Sequence, residues 1–146
     1  MKQSEETGFW QTTLSLPKKG RGFHLITDDI RSALANMPDV QVGLLNIFLQ
    51  HTSASLTISE NTCREVREDL EQFFNRIAPD GLPLYTHTVE GEDDMPAHIK
   101  NAMLGSSLTI PLNNNSLWLG QWQGIYLCEH RNHAPARSLV LTVQGR

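Results

Sequence analysis

The chain has 146 residues and a mass of 16.4 kDa, a length that favours one compact domain, residues 1–146, with a core that needs neither disulfide staples nor a structural metal. Hydrophobic residues at 39% and charged residues at 19% are an ordinary globular balance, which excludes an intrinsically disordered chain. Twelve Lys/Arg against sixteen Asp/Glu give a net charge of −4, which argues against a dedicated binder of nucleic acid or of anionic membrane.

In chain order, Met1 to Thr7 is polar and acidic, without the basic and apolar regions of a signal peptide. Phe9 to Leu16 alternates as a strand, and Phe23 to Thr27 is a second strand after the turn signal Lys19-Gly20-Arg21-Gly22. Ile30, Ala33, Leu34 and Met37 recur at helical spacing until Pro38. Val40 to Gln50 is apolar at nearly every position and predicts a central strand buried on both faces, with His51 at its end. Ala54 to Ile58 is a further strand. The strongest helix follows: Thr62 and Glu65 have capping-box spacing, Val66, Leu70, Phe73, Phe74 and Ile77 form one stripe, and Pro79-Asp80-Gly81 stops it.

Leu82 to Met95 is a loop with His87 and four acids, and Pro96 suits the first position of a third helix that ends before Gly105. Ser107 to Leu112 and Ser116 to Trp122 are strands joined by Asn113-Asn114-Asn115, and Pro111 assigns the first of them to an edge or a bulge. Trp118 and Trp122 share a strand parity and are expected in the core first, with stacking on a ligand the lesser reading. Gly124 to Glu129 and Ser138 to Gln144 complete seven or eight strands and three helices. The class is α+β, with mostly antiparallel pairing.

No stretch reaches eighteen consecutive apolar residues, so no membrane helix is expected. Two cysteines, Cys63 and Cys128, far apart and without CxxC spacing, indicate neither a disulfide scaffold nor a zinc ribbon and fit a reducing, cytoplasmic compartment. Charge is uneven: residues 60 to 98 hold ten Asp/Glu and three Arg, whereas residues 99 to 146 hold one Glu and four Lys/Arg. Such asymmetry suggests separate cation and anion sites.

Among six histidines, His51, His87 and His98 stand at element ends or in the acidic loop and can supply the three protein ligands of a catalytic metal site. Their spacing matches no local metal signature. Asp93 and Asp94 are alternative carboxylate ligands suited to Mg2+, while Glu92 reads as a solvated acid. His51-Thr52-Ser53 invites a nucleophile reading, but no Gly-x-Ser-x-Gly elbow is present, so these hydroxyls are better suited to holding phosphate or supporting the histidine. Gly20-Arg21-Gly22 and Gly120 to Gly124 are too poor in glycine for a nucleotide-phosphate loop. Arg131 and Arg137 are the best anion-binding candidates, because guanidinium forks match phosphate oxygens. Cys128 is expected in the core.

Three ordered blocks say more than residue types alone. His51-Thr52-Ser53-Ala54-Ser55-Leu56-Thr57-Ile58, Glu90-Gly91-Glu92-Asp93-Asp94-Met95-Pro96-Ala97-His98-Ile99-Lys100 and Gly120-Gln121-Trp122-Gln123-Gly124-Ile125 resemble the YjbQ family, also called the secondary thiamine-phosphate synthase family. The resemblance runs from about Phe9 to Gly145. Two departures stand out: Gln121 takes the place of the usual Thr, and Glu129-His130-Arg131 stands where many members have Glu-Phe-Asp.

The resemblance implies an α+β, sandwich-like fold assembled as a homotrimer, and a histidine-lined, metal-binding site at His51, His87 and His98, with a divalent ion of the Zn or Mg type. It also implies a synthase reaction joining hydroxymethylpyrimidine diphosphate to thiazole phosphate, with small phosphorylated metabolites as the partners. In that reading Asp94 is a fourth ligand or supports the ligands, Arg137 contacts phosphate, Gln123 orients substrate, Ser53 hydrogen-bonds a phosphate oxygen and Trp122 lines the substrate site. A metal-dependent hydrolase of a phosphorylated metabolite, or a non-catalytic metabolite-binding trimer, are the alternatives.

Overall fold

A computed structural model describes residues 6–146; residues 1–5, most of the polar N-terminal stretch, lie outside it. The elements are β1 (Gly8–Leu16), β2 (Gly22–Leu25), α1 (Thr27–Ala33), β3 (Val42–Leu49), β4 (Ala54–Glu60), α2 (Arg64–Ile77), α3 (Asp94–Leu104), β5 (Ser107–Asn113), β6 (Ser116–Leu117), β7 (Gln123–Glu129) and β8 (Arg137–Gly145). They form a five-stranded sheet in the order β1-β8-β3-β5-β6 and a three-stranded sheet in the order β2-β7-β4. All pairings are antiparallel, which confirms the α+β class.

The period-2 alternation of β1 and β8 buries one face of the larger sheet against the smaller one. Leu16, Leu45, Ile47, Leu49, Leu139 and Leu141 from one sheet meet Ala54, Leu56, Ile125 and Leu127 from the other, and Ile30 of α1 closes one end. On its other face the small sheet packs Phe23, Tyr126 and Cys128 against Leu70 and Phe74 of α2 and Leu104 of α3. The centre of that sheet, β7, is therefore the strand covered on both sides, and Gly124 to Glu129 is buried throughout.

That role was expected of β3, which is covered on one face only: Val42, Leu44 and Phe48 are exposed. Where β3 meets β8, Gly43 lies opposite Gly145, and a Cβ on Gly43 would stand 2.6 Å from the Gln144 carbonyl oxygen. Only glycine permits that approach.

Several ends differ from expectation. The Thr62–Glu65 capping box does not form. Instead Glu60, at the end of β4, accepts hydrogen bonds from the backbone N–H groups of Thr62 (2.5 Å) and Cys63 (3.1 Å), so the preceding strand supplies the acceptor. α3 begins at Asp94, two residues before Pro96, and Gly105 at φ +99° ends it as expected. β6 is only two residues long. Asn114 and Asn115 take positive φ in the turn before it, and Trp118 and Trp122 lie beyond it, 66% and 60% exposed rather than in the core.

Candidate metal centre

α3 is fixed to the end of β3 and the start of β4 by two side chains on one face. Asn101 Nδ2 donates to the Ala54 carbonyl at 2.7 Å, and His98 Nδ1 donates to the Thr52 carbonyl at 2.7 Å. One turn earlier on the same face, at i−4, stands Asp94. Its Oδ2 lies 2.9 Å from His98 Nε2 and 2.7 Å from Nε2 of His87, which the preceding loop brings over the helix start. His87, Asp94 and His98 form the only group of at least three potential metal ligands among the described residues whose donor atoms all lie within 4.8 Å of one another.

A carbonyl oxygen only accepts, so His98 Nδ1 carries a proton; a neutral imidazole has no second proton to give. Nε2 of His98 thus faces the ionised carboxylate either as the second donor of an imidazolium or as a lone pair turned to a cation between them. The second nitrogen of a metal-bound histidine is commonly tied to a backbone carbonyl or carboxylate, as at His98. Asp94 lies at the floor with a side chain 4% exposed, while His87 and His98 are 46% and 31% exposed, so the cluster opens to solvent on the imidazole side. Burial opposes ionisation of Asp94. The His87 hydrogen bond and the charges of His98 and Arg131 overcome it and hold its pKa below the usual carboxylate range.

Behind the carboxylate stands Arg131, which sequence reasoning assigned to anion binding. Its Nη1 donates to Asp94 Oδ1 at 2.5 Å, Nε to Asp93 Oδ2 at 3.0 Å and Nη2 to the Glu90 carbonyl at 2.9 Å. All three nitrogens are committed to the acidic loop. Asp93 also accepts from the Asn132 N–H at 2.9 Å.

His51 is not brought into the group. Its Nε2 accepts a hydrogen bond from the Ser138 N–H at 2.9 Å, which places the ring proton of neutral His51 on Nδ1 and leaves neither nitrogen with a spare lone pair. Burial first, and Arg137 second, lower its pKa and keep it neutral.

Arg137, expected to contact phosphate, is 2% exposed and binds Glu129 through Nε (2.7 Å) and Nη2 (2.6 Å). Nη2 also donates to the Ser53 carbonyl at 3.3 Å. Its fork is spent on a carboxylate, because a buried guanidinium needs a buried counter-charge. Ser53 sits in the loop between β3 and β4, beside this pair. Gln123 and Trp122 stand at the opposite end of β7 from Glu129, roughly 20 Å away at 3.3 Å per residue. Gln123 Oε1 there accepts from the Gly120 N–H at 2.8 Å.

Sequence reasoning missed a buried pair as well: Ser55 Oγ and His130 Nε2 lie 2.6 Å apart, and His130 Nδ1 is buried without a hydrogen-bond partner. The signal was the run Glu129-His130-Arg131 at a strand end, consecutive polar residues of which the first two are buried.

The sequence matches the family described as "UPF0047 protein YjbQ-like" over residues 12–146. The chain belongs to the YjbQ family. It is 53% identical to the UPF0047 protein YjbQ of Escherichia coli O157:H7 over 137 residues, covering 94% of this chain and 99% of that one. A UPF0047 protein of Synechocystis is 40% identical over 135 residues, with 92% and 91% covered. Among solved YjbQ-like folds, a "YbjQ-like protein" of Sulfolobus solfataricus superposes with a TM-score of 0.85 at 19% identity, covering 97% of this chain and all of that one. A conserved hypothetical protein of Thermus thermophilus gives 0.77 at 30% identity, with 89% and 97% covered.

Proposed function

We propose that this YjbQ-family chain is a cytoplasmic, metal-dependent enzyme acting on a small phosphorylated metabolite, with His87, Asp94 and His98 holding one divalent ion. The observation that carries the reading is the convergence of two imidazole nitrogens and a carboxylate oxygen on one point, with His98 oriented by its Nδ1 bond to the Thr52 carbonyl. Two imidazoles and a carboxylate suit Zn2+ and its first-row neighbours rather than Mg2+, which prefers oxygen. Once bound, the ion supplies positive charge against a phosphate or leaving group. Two free thiols, one of them exposed, fit a reducing compartment.

The finer reading is synthase chemistry of the thiamine-phosphate type, in which a hydroxymethylpyrimidine diphosphate loses pyrophosphate to the thiazole phosphate nitrogen. It rests on the family resemblance. Within one copy, Arg131 and Arg137 are both neutralised by carboxylates, so neither guanidinium is free for the leaving pyrophosphate. The length of β7 separates Gln123 and Trp122 from the cluster of their own chain, so a role for them in the reaction requires a neighbouring copy to bring them there. We include a homotrimer in the proposal, with the outer face of the larger sheet, where Leu44 and Phe48 are exposed, as its interface.

Metal content of purified protein tests the centre. Wild type and His51→Ala are expected to carry about one ion per chain, and His98→Ala close to none. Unchanged metal in His98→Ala sinks the assignment. Product analysis then separates the reactions: thiamine phosphate formed only when both halves are supplied supports the synthase, and phosphate released from a single substrate supports a hydrolase.

A further inference from the structure

We infer that Arg131 is a positioning residue that holds Asp94 as a one-oxygen ligand and thereby sets which metal the site prefers; the inference rests on the metal reading above. Asp94 has two carboxylate oxygens with different partners. Oδ2 faces His87 and His98, and Oδ1 is held by Arg131 Nη1 at 2.5 Å. The same guanidinium is itself fixed at two further points, Asp93 Oδ2 and the Glu90 carbonyl, and Asp93 is fixed by the Asn132 N–H. The Arg131 backbone N–H, for its part, donates to Glu129 Oε2 at 3.2 Å, in the buried pair with Arg137.

A carboxylate held this way cannot rotate to offer both oxygens to one ion. Ca2+ takes six to eight oxygens and commonly binds carboxylates through both, whereas an ion served by two imidazoles needs only one. Arg131 therefore works against large, oxygen-seeking cations and for small ones. A bare positive charge beside a cation site would act differently, weakening every divalent ion alike. Fork geometry and charge thus make opposite predictions, and Lys in place of Arg separates them, because Lys keeps the charge and loses the fork.

Co2+ is the probe, since its visible spectrum reports ligand number and its binding can be titrated without any substrate. Metal-free wild type, Arg131→Lys and Asp93→Asn are titrated with Co2+ and, in competition, with Ca2+. Asp93→Asn removes one anchor of the guanidinium and leaves Asp94 intact.

We expect Arg131→Lys to bind Co2+ about 10- to 100-fold more weakly, the usual effect of losing a partner of a ligand, with weaker and shifted visible bands, and to lose discrimination against Ca2+. Asp93→Asn is expected to move the same way by a smaller factor. Circular dichroism of the metal-free proteins checks that each variant is folded. A spectrum and affinity for Arg131→Lys equal to wild type overturn the inference while leaving the metal centre standing. Failure of wild type to bind Co2+ overturns the metal reading, and this inference with it.

Discussion

Ser55 and His130 meet inside the protein, with exposures of 0% and 1% and a 2.6 Å contact. Such a pair looks like a nucleophile and its base, yet no solvent reaches it and no carboxylate orients the ring, so its consequence is for stability. Burial, then the charges of Lys100, Arg21 and Arg137, push the His130 pKa down to about 3, well below the 6.5 of an unfolded histidine. A folded-state pKa below the unfolded one means that the unfolded chain takes up the proton first as pH falls. Stability from this group is whole above about pH 6.5 and is lost progressively toward pH 3.

Ser55→Ala leaves His130 Nε2 without its partner in the core and is expected to cost about 1–3 kcal/mol at pH 7.5. Ser55→Ala with His130→Phe removes both polar groups and should recover most of that loss. It should also flatten the decline in the urea midpoint between pH 7.5 and 5. A double variant as pH-sensitive as wild type would show that the acid sensitivity arises elsewhere.

At the scale of elements, the Glu129–Arg137 pair joins the last residue of β7, in the small sheet, to the first residue of β8, in the large one. Both side chains are almost wholly buried, so the pair is a cross-tie whose charges must stay matched. Arg137→Met leaves Glu129 as an uncompensated buried charge and is expected to lower stability by about 3–5 kcal/mol in chemical denaturation. Glu129→Gln with Arg137→Met should restore much of it, because a missing pair costs less than half a pair. A variant that keeps its stability and loses only phosphate affinity would restore the anion-binding role that the sequence suggested for Arg137.

Arg137 also shows where sequence reading stops. The residue type announces a guanidinium but not its counter-charge, and Glu129, eight positions away, decides the matter only once the two sheets stack. His87 and His98 were named as ligands and Asp94 as a fourth ligand or their support, and one loop and one helix turn carry all three. His51 resembled them in type and position. Its ring nitrogen nevertheless meets a backbone N–H that belongs to β8, 87 residues further on. Alternation revealed β1 and β8 because one of their faces is wet. It misled for β3, where exposed Val42, Leu44 and Phe48 give the same continuous apolar run as a strand covered on both sides.

For the whole molecule, that misreading points to what an isolated chain leaves open. On the outer face of the larger sheet, Leu44 is paired across strands with Pro111, and Phe48 with Val140, while Val42 and Phe9 extend the apolar surface. Phe48 and Leu44 are 47% and 48% exposed, although their strand is central and its other face is fully buried. A polar row of Gln11, Thr142, Asn46 and Thr109 lies between Leu44 and Phe48, so the face is mixed, with large apolar side chains exposed on its central strand. Such side chains on the outer face of a central strand are what a chain needs if that face is covered by another copy.

The homotrimer in the proposal can therefore be tested without touching the metal centre. Leu44→Lys with Phe48→Lys places two charges on the outer face and leaves the sandwich core intact. Sedimentation velocity at micromolar concentration is expected to show three chains for wild type and one for the variant, with unchanged circular dichroism. The variant should also retain its metal, because His87, Asp94 and His98 come from one chain. A variant that sediments as wild type does would move the interface off this face, and a monomeric wild type would remove the trimer.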